Sequence, residues 1–232
     1  MPDQRTHRGP HPEDGRWFNE DTLPRLQLAT AELSWLLERG YSGKASLTLV
    51  GDRHALSERQ RMAVYRSSCA PSVAAARRSR MVEDLPGQSL AIDGFNLLIT
   101  VEAALSGGVL LRGCDGCVRD LASMHGSYRR VAETERAVEL CRQALRPCQG
   151  VQWLLDQPVS NSGRLAARLR QAGFTVELVA NPDRLLAESP AVVVSTDRFV
   201  LDRCERWHNL AASMVEELGA PVWELGAATK SE

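Results

Sequence analysis

The sequence predicts an α/β protein with a parallel sheet, because three short apolar runs each end in an aspartate. Residues 90–92 lead into Asp93, residues 151–155 lead into Asp156, and residues 191–194 precede Asp197. None of the runs alternates polar and apolar side chains, which is typical of strands that are covered on both faces. Stretches of helical length separate the runs, and strands that alternate with helices predict βαβ units.

The N-terminal part of the chain predicts a helical module that follows a disordered arm. Residues 1–21 are rich in Pro, Gly, Arg, His and Asp and lack periodicity, so they predict the arm. Residues 22–39 carry leucines near helical spacing and are followed by Gly40, which predicts a helix and its end. Residues 45–50 fit either a helix or a strand, and we favour a helix. Ser57 followed by Gln60 has the form of a capping box and predicts a helix over 57–68.

A turn-forming stretch around Pro86 and Gly87 predicts the boundary between the helical module (22–86) and an α/β domain (87–232). In that domain the patterns predict helices over 97–105, 130–145, 162–172 and 199–218, and further strands over 109–111, 175–179 and 221–225. A sheet of order 3-2-1-4-5, with the three aspartate-ending runs as its first, second and fourth strands, would bring their carboxylates to one edge.

Three carboxylates at one sheet edge predict a divalent metal site. Like charges at such short distances repel one another, which costs free energy unless a cation lies between them. Carboxylate oxygens suit Mg²⁺ or Mn²⁺. Asn96 is placed to face the same crevice. For the Asp93 segment alone, an ordinary turn in which Asp93 or Asn96 caps the next helix is an equally good explanation. The recurrence of the pattern favours the metal site.

The charge distribution suggests a local surface for phosphate groups. The net charge is −1, so the whole molecule gives no argument for nucleic acid. Residues 44–80, however, contain eight Lys and Arg residues and two acidic ones. Such a module suits a phosphate backbone, with Arg59, Arg61 and Arg66 as candidate contacts. The alternative is a solvated helix face whose arginines pair with acidic residues of the other domain.

The sequence also indicates in which cellular compartment the protein is expected. No apolar run reaches the roughly 18 residues that a membrane span needs, and residues 1–12 lack the apolar region of a signal peptide. We therefore expect a cytoplasmic protein without membrane association. The six cysteines include a Cys114/Cys117 pair with CxxC spacing, but the sequence has no second such pair, so a zinc site is weakly indicated.

The segments at the strand ends resemble a known superfamily. Asp93-Gly-Phe-Asn96, Leu155-Asp156 with the following PVSNSG segment, and VSTDR at 194–198 resemble the PIN-like metal-dependent ribonucleases, including their NYN branch. Residues 33–66, with LVGDR at 49–53 and LSERQR at 56–61, resemble the helical segment of domain-of-unknown-function family 434. In that family the segment precedes a PIN-like domain, and the resemblance covers nearly the whole chain.

The resemblance implies a PIN-like three-layer sandwich with a Mg²⁺ or Mn²⁺ site that acts on RNA. Asp93, Asp156 and Asp197 match the acidic, catalytic metal ligands, and Asp202 is a candidate further ligand. Asn96, Ser160 and Ser162 are candidate substrate contacts, although the two serines are equally well explained as helix caps. PIN-like sites often include one more carboxylate. The candidates are Asp115, Asp120, Glu133 and Glu135.

Several functions remain compatible with these residues. The first is a metal-dependent ribonuclease, and the second is a PIN-like module that binds RNA or a protein without turnover. A haloacid-dehalogenase-like phosphatase also has an Asp after its first strand, but it needs a second Asp two residues later, where this chain has Phe95. A nucleotide or small-phosphate binding protein is a further alternative.

Overall fold

The computed structural model describes residues 8–122 and 128–226. Its N-terminal part contains five helices: α1 (Asp14–Trp17), α2 (Leu23–Glu38), α3 (Gly43–Arg53), α4 (Glu58–Ser67) and α5 (Pro71–Arg78). The predicted capping box begins α4, where Ser57 Oγ accepts from the Gln60 N–H and the Gln60 side chain accepts from the Ser57 N–H. The ambiguous segment 45–50 is helical and lies within α3, as favoured above.

Helix α1 lies within the segment predicted as a disordered arm. Asp14 is buried and accepts hydrogen bonds from the Arg59 guanidinium, with 2.8 Å between Nη2 and Oδ2. Phe18, directly after α1, is buried in the same cluster as Leu26 and Leu33 of α2. The composition of this segment predicts disorder, but its residues Asp14 and Phe18 pack against residues that lie further along the chain.

The main sheet contains four parallel strands: β1 (Ser89–Asp93), β4 (Gly150–Asp156), β5 (Thr175–Val179) and β6 (Val192–Val194). Their spatial order is β5-β4-β1-β6, which is 3-2-1-4 along the chain. A parallel α/β sheet preceded by helices is therefore confirmed.

Helices cover both faces of the main sheet. Leu90 and Ile92 pack in a core with helices α6 (Gly94–Leu105), α7 (Thr134–Ala144), α8 (Ser162–Gln171) and α11 (Leu210–Glu217). Ala91 points to the opposite face, where it packs with α9 (Pro182–Ala187) and α10 (Arg198–Leu201). Burial on both faces explains why the strand sequences show no polar alternation.

The chain end was predicted to add a fifth strand to this sheet, and that prediction is wrong. Strand β7 (Trp223–Glu224) instead pairs with β2 (Leu110–Arg112) in a second sheet of order β3-β2-β7, in which β3 is Val118–Asp120. The outer edge of β6 is already taken by the segment around Trp207, because Val193 exchanges backbone hydrogen bonds with Arg206 and His208.

The same segment interrupts the helix predicted over 199–218. Trp207 is fully buried, and its indole N–H donates to the Arg77 carbonyl at 2.7 Å. Because residues 206–208 run along β6 as extended chain, the predicted helix is divided into α10 and α11.

The second sheet joins the two parts of the chain. Leu111 of β2, together with Leu121 and Leu225, packs in one buried cluster with Leu26 and Leu33 of α2. The N-terminal helices therefore share a core with strands that follow β1 in the chain. Across the described ranges, none of the helices has both the length and the apolar character needed to traverse a bilayer.

Candidate active site at the carboxyl edge of the sheet

Four aspartates, one after each strand of the main sheet, line a cavity of about 640 Å³. Asp93 ends β1 and Asp156 ends β4, Asp183 lies in the first turn of α9 after β5, and Asp197 precedes α10 after β6. The carboxyl ends of parallel strands meet at one edge of a sheet. The structure thus brings together the three aspartates identified from the sequence and adds a fourth.

Asp93 is the most deeply buried of the four. Its Oδ2 accepts from the Ser195 hydroxyl at 2.8 Å, and its Oδ1 accepts from the Asn96 N–H at 3.3 Å. Burial raises the pKa of Asp93 to about 7, and the negative charges of Asp183 and Asp197 add to the rise. Because the Asn96 bond also makes Asp93 the cap of α6, the capping role and a place in the site occur together.

The absence of a side chain at Gly94 allows the start of α6 to lie close to β4. An added Cβ would lie 2.5 Å from Leu155 Cδ2 and 3.2 Å from the Leu154 carbonyl oxygen. Contacts that short do not fit a packed interior. Gly94 therefore lets α6 begin directly against β4 and keeps Asp93 at the cavity.

The other three aspartates lie close enough for their charges to repel one another. Burial raises the pKa of Asp183, and the charges of Asp197 and Asp156 raise it further. Asp156 Oδ1 is shielded from solvent and accepts no hydrogen bond from any described residue. A buried anionic oxygen without a partner is costly. A cation bound beside Asp156 and Asp183 would offset this cost.

The loop after β6 is held in place by polar contacts. Asn96 Oδ1 accepts from the Thr196 N–H at 2.9 Å and from the Thr196 hydroxyl at 3.0 Å. The Asp197 N–H donates to Ser195 Oγ at 3.0 Å, and the Asp197 carboxylate caps α10. Asn96, predicted as a substrate contact, lines the cavity and also positions the segment that carries Asp197.

Arginines and aromatic side chains form the other side of the cavity. Arg66, Arg119 and Arg198 line it, together with Tyr65 and Phe199. Arg119 is bound to Asp115 through two hydrogen bonds of 2.7 and 2.9 Å. Arg198 donates to the carbonyls of Tyr65 and Ser68, and its guanidinium lies over the Tyr65 ring at 4.5 Å. Tyr65 and Phe199 are 41% and 44% exposed, and Arg203 lies over the Phe199 ring at 3.8 Å, so each ring carries an arginine over one face.

The carboxylate set fits a hydrated hard cation. Among residues 8–122 and 128–226, no three His, Cys, Asp or Glu side chains converge into a ready-made metal cluster. Mg²⁺ is commonly held by one or two carboxylates and keeps several waters, so it does not need such a cage. The unpartnered Asp156 oxygen and the neighbouring carboxylate of Asp183 supply donors of the kind that Mg²⁺ or Mn²⁺ binds.

Two acidic residues proposed for the metal lie elsewhere. Asp202 Oδ1 accepts from Arg77 Nε and Nη2 at 2.9 and 2.6 Å. Asp115 is bound by Arg77 and Arg119. Although burial opposes the effect, these two arginines hold the pKa of Asp115 below its ordinary range. Neither carboxylate lines the cavity, because both are used to neutralise Arg77, which is 2% exposed.

The remaining candidates for an additional carboxylate differ in position. Asp120 lines the cavity, but its oxygens accept from the Thr100 hydroxyl and the Ala122 N–H, both at 2.8 Å. Glu133 and Glu135 lie at the start of α7, outside the cavity lining, and Glu135 pairs with Arg130 and Arg168.

Sequence reasoning missed Asp183, and one signal could have revealed it. The strand predicted over 175–179 is followed by Asn181-Pro182, which ends it, and Asp183 comes directly after this turn. The interval between the strand and this aspartate is longer than at Asp93 or Asp156. Asp183 reaches the cavity because α9 packs against β1 and β4.

The predicted substrate contacts are mostly engaged in the fold. Arg59 pairs with Asp14, and Arg61 pairs with Asp52 at 2.7 Å. Both partners are in the N-terminal part of the chain, whereas Arg66 pairs with Asp120 of the α/β part at 3.8 Å, which is the alternative given above. Of the three predicted arginines, only Arg66 lines the cavity. The two serines also lie outside the lining: the Ser162 hydroxyl donates to the Gln157 carbonyl, and the Ser160 carbonyl accepts from the Tyr128 N–H.

The fold and site define an α/β protein with an acidic cavity at the carboxyl edge of a four-stranded parallel sheet. Residues 82–213, more than half of the chain, match the family described as Domain of unknown function (DUF5616), and the chain belongs to that family. Residues 25–80 match the family described as Protein of unknown function (DUF434). The predicted resemblance to family 434 is thus confirmed for the N-terminal helices, while the α/β part matches a different family.

Comparison with individual proteins adds one relative and no structure. The chain is similar to the Uncharacterized protein MJ0935 of Methanocaldococcus jannaschii, with 27% identity over 195 residues. The aligned region covers 76% of this chain and 93% of the relative. No solved structure matches the chain.

Proposed function

We propose that this protein is a divalent-metal-dependent nuclease that hydrolyses phosphodiester bonds of RNA in the four-aspartate cavity. The observation that carries the proposal is the convergence of Asp93, Asp156, Asp183 and Asp197 on one cavity with excess negative charge. Carboxylates this close repel one another, and a metal ion between them would stabilise their charged forms, which favours a metal-dependent reaction.

The geometry also supports a PIN-like interpretation of the fold. The spatial order β5-β4-β1-β6 equals the first four positions of the predicted order 3-2-1-4-5. Acidic residues follow β1, β4 and β6, at the positions that the resemblance assigned to metal ligands. The second sheet, which contains the chain end, is the part that departs from the prediction.

Each side of the cavity has a role in the proposed reaction. When bound, Mg²⁺ or Mn²⁺ would supply an activated water and neutralise charge on the phosphate. Asp156 and Asp183 would hold the ion, with Asp93 and Asp197 adjacent. Arg198 lines the same space and would bind phosphate oxygens, together with Arg66, which also pairs with Asp120 at 3.8 Å. The partly exposed rings of Tyr65 and Phe199, each with an arginine over one face, would stack on bases, which requires unpaired bases and therefore a single strand.

Two of the other functions can be weighed against the structure. Phe95 lines the cavity at the position where a haloacid-dehalogenase-like phosphatase needs its second Asp, which disfavours that class. A module that binds RNA without cleaving it is favoured by one finding: the described residues hold no preassembled cluster of three metal-binding side chains. Cleavage assays separate this module from a nuclease.

The test is cleavage of a fluorescently labelled single-stranded RNA by the purified protein with Mn²⁺ or Mg²⁺. We expect cleavage that EDTA abolishes. Asp156→Asn, Asp183→Asn and Asp197→Asn should each remove most of the activity, and a double variant should be little worse than a single one because the carboxylates act as a unit. Glu205→Gln is the matched control, since it removes an exposed carboxylate outside the cavity.

The absence of metal-dependent cleavage would contradict the proposal. If no metal supports cleavage by the wild-type protein above the level of Asp156→Asn, the nuclease proposal is wrong. Retained binding of the same RNA would then favour the binding module. A DNA oligonucleotide of the same base sequence, run in parallel, measures the preference for RNA.

A further inference from the structure

We infer that a second pocket beside the acidic cavity binds phosphates of the RNA strand, as an anchor for the segment next to the scissile bond. This inference rests on the proposed function for the identity of the ligand. The pocket has a volume of about 510 Å³, and its lining contains four arginines: Arg129, Arg130, Arg164 and Arg168. Its other lining residues are Tyr128, Thr134, Asn161 and Leu165.

The charge of this cationic pocket is only partly compensated. Its lining contains no acidic residue. Glu135 pairs with Arg130 at 3.4 Å and also contacts Arg168. Within the described ranges, no carboxylate forms an ion pair with Arg129 or Arg164, and Arg164 is exposed. Guanidinium groups that are not paired with a carboxylate bind phosphate through charge-assisted hydrogen bonds.

The backbone around Arg129 is fixed by several contacts. The Arg8 guanidinium donates to the Arg129 carbonyl at 3.1 Å and lies over the Tyr128 ring at 5.4 Å. Asn161 Nδ2 donates to the Tyr128 carbonyl at 2.9 Å, and the Tyr128 N–H donates to the Ser160 carbonyl at 3.0 Å. The segment is therefore held in place before a ligand arrives, which lowers the entropy cost of binding.

The cationic pocket adjoins the acidic cavity. Phe95 lines the cavity and Tyr128 lines the pocket, and the centroids of these two rings are 5.4 Å apart. Asn161 lies only five residues after Asp156, in the loop between β4 and α8. A single nucleic acid strand can thus place one phosphate at the aspartates and a nearby one at the arginines.

This placement assigns the anchoring contacts to other arginines than Arg59 and Arg61, which were predicted on the N-terminal helices. Arg59 and Arg61 are paired with Asp14 and Asp52, so their charges are already balanced. Arg129 and Arg164 are available at the same edge of the sheet as the aspartates. Position and free charge together favour the cationic pocket as the anchor.

The experiment measures binding without cleavage. Fluorescence anisotropy with labelled oligouridylate of about 12 nucleotides is followed in EDTA over a series of salt concentrations. For Arg129→Gln and Arg164→Gln we expect weaker binding and a salt slope that falls by about 0.7 for each lost phosphate contact. Arg164→Lys should keep the wild-type slope, because it keeps the charge. Arg25→Gln, which alters an exposed arginine of α2 outside both pockets, is the matched control.

The outcomes separate this inference from the nuclease proposal. If both glutamine variants bind with the wild-type slope, or if the wild-type protein binds no RNA, the inference is overturned whatever the cleavage assay shows. If the glutamine variants lose binding while the wild-type protein never cleaves, the pocket is supported and the nuclease proposal fails. The thermal unfolding of each variant confirms that it is folded, which is expected for an exposed side chain such as that of Arg164.

Discussion

Replacing Asp93 with asparagine should stabilise the metal-free protein at pH 8. The charged carboxylate of Asp93 is buried beside Asp183 and Asp197, and its pKa rises from 3.8 to about 7. A rise of that size corresponds to about 4 kcal/mol of destabilisation above pH 7. An uncharged amide avoids this cost, so we expect Asp93→Asn to gain between about 1 and 4 kcal/mol.

The hydrogen bonds of Asp93 should survive the substitution. The amide oxygen can accept from the Asn96 N–H, and asparagine caps helices as well as aspartate does. The amide N–H₂ can donate to Ser195 Oγ, which has a second lone pair beside the one that accepts from the Asp197 N–H. The substitution therefore removes charge and leaves the local structure intact.

The expected gain depends on pH in a defined direction. The folded protein keeps the Asp93 proton up to about pH 7, while the unfolded chain loses it near 3.8. Between these values the folded state binds more protons, so this group lowers the stability of the wild-type protein as the pH rises. At pH 5.5 roughly half of the gain should remain, and near pH 4 it should disappear.

The assay is thermal unfolding of both proteins in EDTA at pH 5.5 and 8.0. For a chain of this size, each kcal/mol shifts the Tm by roughly 2–4 °C. Added Mn²⁺ should raise the Tm of the wild-type protein, since it binds only the folded state, and should raise that of Asp93→Asn much less. A variant that is less stable than wild type at pH 8 would refute the reasoning and leave Asp93 with a capping role alone.

Two further predictions test the corrected positions of other side chains. Asp202→Asn should leave the Mn²⁺-induced rise in Tm unchanged and cost about 1 kcal/mol of stability, because Asp202 pairs with Arg77 outside the cavity; loss of the Mn²⁺ effect in thermal unfolding would return Asp202 to the metal site. Arg59→Gln should lower the free energy of unfolding in urea by about 2 kcal/mol, because buried Asp14 loses its partner. Its affinity for RNA should be unchanged, and a reduced salt slope would contradict the structure.

The sequence by itself determined the secondary structure around the site. The apolar runs before Asp93 and Asp156 form β1 and β4, and the capping box at Ser57 begins α4. These features depend on a few consecutive residues, whose spacing decides which face is buried and which backbone groups are capped. A parallel sheet then requires that the strand ends meet at one edge, so three of the four aspartates could be placed without coordinates.

Only the tertiary structure decided which polar groups face each other. Asp183 reaches the cavity because α9 packs on β1 and β4, and Asp202 is withdrawn from it by Arg77. Arg59 looks like a phosphate contact in the sequence until Asp14, 45 residues earlier, is seen to neutralise it. Such pairs depend on long-range packing, and the energy of a charge depends on its distance from other charges and from water. Neither distance can be obtained from the local sequence pattern.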